Sequence, residues 1–209
     1  MALCFNSPTQ VMASTLNLIS LYTYLTSLHC PSDNTRGVKT QSLVFCTIAL
    51  AFNLLDTYPS QTSYFRFLQT ISCLNLDPDS EQLQWVTSIQ RSMNRNNYFE
   101  FAQQTDPGRL MAVVSCLPPN NQMLCKDALI CTVSALRNKV RKCIWNIVRV
   151  SYRELSFEPT VDTSDWLSRT LMLDTDTGNI DVWIGRSTSE GHLVLKEGSK
   201  LRYLVRKPA

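Results

Sequence analysis

The chain has 209 residues, 44% of them hydrophobic and 18% charged, with six glycines and nine prolines. That balance fits a folded chain long enough to bury a core and excludes low-complexity disorder. The formal net charge of +3 names no partner by itself, but it is unevenly spread: residues 1–136 carry seven Lys/Arg against eight Asp/Glu, and residues 137–209 carry thirteen against nine.

Met1 to Ser32 contains no Asp, Glu, Lys or Arg. The run VMASTLNLISLYTYLTSL within it is long enough to span a bilayer, yet Ser, Thr and Asn recur through it and basic anchors are missing at its ends, so it reads as a buried amphipathic helix from Pro8 to about Leu28. A second helix is expected over Lys39 to Thr57, ending before Pro59, and TQSLVFCTIALAFNLL inside it is bounded by Lys39 and Asp56 as a core helix would be. The third, Ser60 to about Cys73, carries Tyr64, Phe67, Leu68 and Ile71 as its stripe. Asp77 is positioned to cap a fourth helix with Pro78 in its first turn, and Trp85, Val86, Ile89 and Met93 give that helix one apolar face.

NRNN breaks the fourth helix. Asn97 can cap the next, with Glu100 at the third helical position reaching back to the cap's backbone N–H, and Tyr98, Phe101 and Ala102 then share a face. A short helix from Pro107 to about Cys116 stops at Pro118 and Pro119, and a long one runs from Asn120 to Tyr152. Its expected apolar set is Leu124, Ala128, Cys131, Ala135, Val140, Ile144, Ile147 and Val148. Beyond SFEPTVDTS the pattern changes: two short helices, around Trp166–Leu171 and Ile180–Ile184, precede HLVLKEGSKLRYLV, which reads as strand, turn at Glu197-Gly198-Ser199, strand. The fold class expected is mostly α: stacked helical hairpins over residues 1–152, then a C-terminal winged helix with a small β-hairpin over 153–209, packed on the last long helix.

A hairpin array feeding a long helix and ending in a winged helix is the plan of the PCI domain. LQWVTSIQRSMNRNNYFEFAQ resembles the segment of the GANP (germinal-centre-associated nuclear protein) and Sac-three homology family written roughly A-x-x-x-x-x-G-N-Y-x-R-F-F. Asn97, Tyr98 and Phe101 match, while Asn96 stands for the Gly, Glu100 for the Arg and Ala102 for the second Phe. ALRNKVRKCIWNIVRVSYREL is similar to the family's basic long helix ending in a Tyr-Arg pair, here Tyr152 and Arg153, and WLSRTLMLDTDTGNIDVWIGRSTSEGHLVLKEG to its first winged-helix segment. The likeness covers roughly residues 40 to 206 and is nearest to the compact members with a single homology domain, since the Arg-rich upstream segment of the larger members is not in this sequence. It implies a non-catalytic scaffold whose partners are other PCI and winged-helix proteins, working in the nucleus or in the cytoplasm including the centrosome. Compact members are linked to centrosome duplication and the mitotic spindle; large ones anchor messenger RNA export.

From a different class stands direct binding of RNA or DNA. Arg137, Arg141, Lys142 and Arg149 on the long helix, with Lys196, Lys200, Arg202 and Arg206 around the hairpin, could line phosphates; Lys139, Arg153 and Lys207 add to the same basic third. The alternative is a solvated helix face, because acidic residues are interspersed. A cysteine nucleophile would need His29 or His192 brought to one of eight cysteines (Cys4, Cys30, Cys46, Cys73, Cys116, Cys125, Cys131 and Cys143). No Cys-x-x-Cys, glycosylation sequon, Gly-rich phosphate loop, His-Glu-x-x-His or Gly-x-Ser-x-Gly occurs, so free thiols in a reducing, intracellular setting are expected, with no zinc, no cofactor, no membrane span and no enzyme activity. Asp174 and Asp176 are read as helix-capping residues rather than an acid/base pair. The four tryptophans, Trp85, Trp145, Trp166 and Trp183, are read as core.

Overall fold

The computed structural model describes residues 35–72, 77–117, 119–158, 161–173 and 180–208. The expected first helix, from Pro8 to Leu28, lies outside them. Eight helices and three short strands are described: α1 (Thr35–Thr57), α2 (Thr62–Ile71), α3 (Glu81–Asn94), α4 (Tyr98–Gln104), α5 (Pro107–Val114), α6 (Pro119–Ser151), β1 (Glu154–Ser156), α7 (Thr163–Leu171), α8 (Ile180–Ser189), β2 (Leu193–Leu195) and β3 (Arg202–Val205). Among the described residues no helix is long and apolar enough to cross a membrane. The chain forms two compact units, residues 1–136 and 137–209. The division falls inside α6 rather than at residue 152, so the last turns of the long helix belong to the C-terminal unit.

In the first unit α1 packs on α2 and α3, and α3 packs on α4 and α5. The stripe of α2 is as the spacing predicts: Tyr64, Phe67 and Ile71 are buried and Leu68 half-buried. Trp85, Val86, Ile89 and Met93 of α3 are buried, each side chain contributing about 1.5–3 kcal/mol of transfer free energy. The polar groups of this core are spent on helix ends. Trp85 Nε1 donates to the Gln104 carbonyl at 2.8 Å where α4 stops, and Gln61 and Gln90 exchange bonds of 3.2 and 2.6 Å between the start of α2 and α3.

Asp77 does not cap α3. Its side chain accepts from Asp79 N–H at 3.0 Å and its carbonyl from Ser80 N–H at 3.2 Å, so Pro78 sits in a turn and the helix starts at Glu81 with Ser80 in the cap position. A short acidic side chain closing its own turn competes with capping three residues later.

The corner between α3 and α4 has two joined devices. Asn96 N–H bonds to Met93 O (3.2 Å) and Asn97 N–H to Ser92 O (2.8 Å), with Asn96 at φ +53°: a Schellman ending whose left-handed residue is Asn, the non-glycine residue that tolerates it best. Asn97, the residue after it, then caps α4 by accepting from Glu100 N–H at 3.2 Å. Its own N–H is already used by Ser92, which is why the Glu100 carboxylate meets the Asn97 side-chain amide (3.0 Å) instead of the backbone donor expected from sequence. Phe101 is fully buried, Tyr98 is half-buried with its hydroxyl on Asn96 Oδ1 (3.0 Å), and Phe99 is 75% exposed.

In the long helix, Cys125, Leu129, Val133, Leu136, Val140, Ile144 and Val148 form the buried line. Of the expected set, Val140, Ile144 and Val148 lie on this line, whereas Ala128 and Ala135 are half-buried and Cys131 and Ile147 are exposed. Leu124 carries no described side chain. Both neighbouring stripes of this helix are apolar, so periodicity alone does not separate them.

The C-terminal unit runs helix, strand, helix, helix, strand, strand. Its sheet is antiparallel in the order β1-β3-β2. Glu154, Leu155 and Ser156 pair with Leu204, Tyr203 and Arg202, and Leu193, Val194 and Leu195 pair with Val205, Leu204 and Tyr203. The core side holds Leu155, Leu193, Val205 and half-buried Tyr203, with Phe157 edge-on to Tyr203 at 5.7 Å. Gly198, at φ +77°, is the third residue of the turn closed by Ser199 N–H on Lys196 O (3.1 Å), a position that suits glycine. Strand β1 was not read from the sequence; it is three residues long and follows α6 after only two residues.

Candidate partner-binding surface

The basic residues expected to contact phosphate fall into three groups once placed. Arg137, Arg141 and Arg149 form the first. Arg137 and Arg149 are buried. Arg141 sends Nε to Leu171 O (2.7 Å) and Nη2 to Met172 O (2.8 Å), with Nη1 on Asn138 Oδ1 (2.6 Å). It thereby closes the end of α7, where Met172 N–H bonds to Arg169 O and Leu173 N–H to Ser168 O with Met172 at φ +54°, a second Schellman ending. Helix carbonyls left without N–H partners at this end are what the guanidinium fork satisfies. Arg149 Nε does the same for the Arg206 carbonyl at 2.7 Å.

Lys196 and Arg202 form the second group, each paired with a carboxylate from the β1 side of the sheet. Lys196 Nζ lies 2.9 Å from Glu154 Oε2 and Arg202 Nε 2.8 Å from Glu158 Oε1. The hydrogen bond and charge of Arg202 hold the Glu158 carboxyl below its usual range, and Glu158 in turn raises Arg202. Both pairs remain well exposed, so their net contribution is small.

Lys142, Lys200 and Arg206 form the third group and are exposed, as are Arg153 and Lys207. The family-motif pair ends up divided: Tyr152 is 45% exposed with its ring 5.4 Å from that of Trp166, and the Arg153 carbonyl accepts from Val205 N–H at 2.9 Å. Asn97, Tyr98 and Phe101 belong to the first unit's corner described above.

Around Trp145 the C-terminal unit has an aromatic knot. Trp145 is buried and meets Trp183 edge-to-face at 4.6 Å. His192 Nδ1 lies 3.5 Å from Trp145 Nε1 and 3.2 Å from Glu190 Oε2, and that nitrogen serves one of the two at a time. Cys46 and Cys125 are buried, and burial pushes the Cys46 thiol up to about 12. Among the described residues no group of three or more His, Cys, Asp or Glu side chains is placed to hold a metal ion. His29, Cys4, Cys30, Cys73, Asp174 and Asp176 lie outside the described residues.

Sequence reasoning overlooked the apolar side chains that face outward. Leu204 (44% exposed), Leu195 (46%) and Leu201 (40%) lie on or beside the hairpin strands, and Ile147 (49%) and Val150 (60%) on α6. A signal was available. Leu193, Val194 and Leu195 are consecutive apolar residues in a strand, and a sheet with one buried face must turn Val194 outward beside Leu204, while Leu195 shares the face of Leu193 and is exposed at the end of the strand. Helix α8 adds Val182 at 60% exposure and carries one acid and one base, Asp181 and Arg186. Compared with family models, curated proteins and solved structures, the chain finds no match.

Proposed function

We propose that the chain is a non-catalytic interaction scaffold of the GANP and Sac-three homology type, acting in centrosome duplication and spindle assembly, with messenger RNA export assembly as the other setting within that family. The C-terminal unit supports its winged-helix half: helix-strand-helix-helix-strand-strand with strand order β1-β3-β2 is the topology of that module. The Asn96–Asn97 corner supports the resemblance on physical grounds, because the family's Gly corresponds to the residue at φ +53° here.

One observation carries the preference for protein over nucleic acid. Guanidinium groups that a phosphate reading needs are turned onto carbonyls at Arg141 and Arg149, while Leu204, Leu195, Ile147 and Val150 face solvent. Exposed aliphatic surface is the material of protein contacts, whereas nucleic-acid binding relies on free cations and stacking aromatics. In DNA-reading winged helices the second of the paired helices enters the groove; α8 offers balanced charge and an exposed valine there.

The test is affinity capture of the full chain from dividing cells, with and without nuclease, beside salt-dependent binding of single-stranded RNA and DNA. Nuclease-resistant capture of PCI or winged-helix proteins, lost in Leu204→Glu, is the expected result. Nucleic-acid binding that weakens steeply with salt and disappears in Lys142→Glu/Lys200→Glu would replace the scaffold reading with direct binding.

A further inference from the structure

We propose that the open edge of β2 is a docking site for an extended acidic segment of a protein partner, which adds as a fourth strand with the pattern acid-x-apolar-x-acid. This rests on the interaction-scaffold reading and names the class of partner for one of its surfaces.

The register supplies the backbone half of the argument. His192 O accepts from Arg206 N–H and Lys196 N–H donates to Arg202 O, each at 2.9 Å. In an antiparallel ladder these bonded pairs alternate, so Val194 turns its N–H and carbonyl toward Leu204 of β3. Leu193 and Leu195 must therefore direct theirs away from the sheet. Since β2 is, among the described residues, an outer strand in the order β1-β3-β2, those groups form a strand-addition template. The strand holds no proline, and its residues are Leu, Val and Leu.

Side chains supply the specificity. On the face opposite the core, Leu204 of the central strand is 44% exposed beside half-buried Val194. Arg202 precedes Leu204 by two residues and Arg206 follows it by two, while Lys196 follows Val194 by two. The face thus reads cation, aliphatic, cation along β3, and along β2 it reads His192, with Glu190 Oε2 3.2 Å from its Nδ1, then Val194 and Lys196. Cross-strand neighbours of opposite charge and aliphatic pairs are the stabilising combinations in sheets. Glu154 and Glu158 already demonstrate the chemistry, holding Lys196 and Arg202 at 2.9 and 2.8 Å, and both cations keep nearly half of their side chains exposed. Arg206, Lys200 and Lys207 are exposed around the same hairpin, with Glu197 as the acidic residue in its turn. A partner strand beside β2 meets this face with an apolar residue opposite Val194 and acids two residues to either side, and its next side chain reaches Leu195, 46% exposed at the edge.

The probe is the capped peptide Glu-Leu-Val-Thr-Glu, titrated into the full chain while backbone amide exchange is read by NMR. The Leu195 amide is expected to exchange fast in the free protein and to slow by about tenfold or more at saturation, since a single new bond shielded from water contributes on that order. Leu195→Pro removes this outward donor without touching the ladder to β3 and abolishes binding, an edge proline being tolerated where the N–H faced solvent. Lys196→Glu and Arg206→Glu each weaken binding about threefold to fivefold, the range of an exposed ion pair. Amide signals of the sheet in each variant confirm that the unit remains folded. The proposal is overturned if the Lys-Leu-Val-Thr-Lys analogue binds equally well, if Leu195→Pro remains folded and binds the acidic peptide unchanged, or if an oligothymidylate perturbs the same amides more strongly than the peptide. Capture from dividing cells reads the scaffold independently: nuclease-resistant partners retained by Leu195→Pro would leave the scaffold standing with this edge excluded, and absence of any such partner from the wild-type chain would remove the scaffold reading itself.

Discussion

Arg141 decides between two kinds of protein, and its substitution by Met separates them. The methionine keeps the aliphatic stem and removes the fork that holds Leu171 O and Met172 O at 2.7 and 2.8 Å. Hydrogen bonds from a charged donor contribute about 1.5–3 kcal/mol each, and Arg141 is half-buried, so the low end applies and the pair together is worth about 3 kcal/mol. With a urea slope of about 1–1.5 kcal/mol/M for a unit of this size, the midpoint should fall by roughly 2–3 M. Trp145, Trp166 and Trp183 lie in this unit and Trp85 in the other, so tryptophan fluorescence of a Trp85→Phe background follows it. Arg141→Lys should recover less than half of the loss, because an ammonium cannot span two carbonyls as a guanidinium does. An unfolding free energy within about 0.5 kcal/mol of wild type, accompanied by weaker binding of single-stranded nucleic acid, would refute the capping role and return Arg141 to the phosphate surface.

Asn97→Ala should cost about 1 kcal/mol in urea unfolding. At Asn96, Gly should be neutral or stabilising by a few tenths of a kcal/mol and Val destabilising by about 1–2 kcal/mol, since φ is +53° there. Phe101→Ala should lose about 3–4 kcal/mol and Phe99→Ala less than about 0.5, one side chain being fully buried and the other 75% exposed. Burial raises the Cys46 thiol to about 12 against about 8.5 in an unfolded chain, so the folded state keeps a proton that the unfolded state sheds. Stability from this group is present below about pH 8.5 and falls between there and pH 12, by at most about 1.4 kcal/mol per pH unit. Urea unfolding at pH 8 and pH 10 should therefore show a smaller decline for Cys46→Ala than for the wild type. Glu158 has the opposite sign: lowered by Arg202, its contribution is present above the ordinary carboxyl range and is lost as pH falls through its own lowered value, a dependence that Arg202→Gln should remove.

Helices α2 and α3 were legible because each differs between its faces: Tyr64, Phe67 and Ile71, or Trp85, Ile89 and Met93, are buried on one side while most residues on the other are polar. The cap at Asn97 was legible because capping chemistry is local, whereas the left-handed ending at Asn96, which takes up the Asn97 N–H, was not. The long helix was misread where two adjacent stripes are both apolar; choosing Cys131 over Thr132 and Val133 requires knowing what packs there. Strand β1 was invisible for a different reason. Three residues carry too little alternation, and the bonds that make Glu154–Ser156 a strand come from β3, almost fifty residues later. The basic surface was the least legible feature. A sequence shows that Arg141 and Arg149 lie on one helix, but their use depends on carbonyls contributed by Leu171, Met172 and Arg206.

Turning an arginine onto a carbonyl consumes its donors without cancelling its charge. Arg141 Nε and Nη2 and Arg149 Nε donate to backbone oxygens that carry no formal charge, so these bonds occupy donors that would clamp a phosphate without themselves neutralising a guanidinium. The thirteen Lys/Arg against nine Asp/Glu in residues 137–209 therefore remain as a field even where they are absent as contacts. Such a field acts over about one Debye length, roughly 8–10 Å at physiological salt, and raises encounter rates with anions without selecting among them. Selection falls to what is exposed at short range, and at the hairpin that is Leu195, Leu204 and an unpaired strand edge beside Lys196 and Arg206. A nucleic acid gains from the field alone; an acidic strand with one aliphatic residue gains from both terms. Raising salt should therefore slow association with either class, but only for the acidic peptide should a salt-insensitive residue of affinity remain, measurable as the extrapolated binding at 1 M salt.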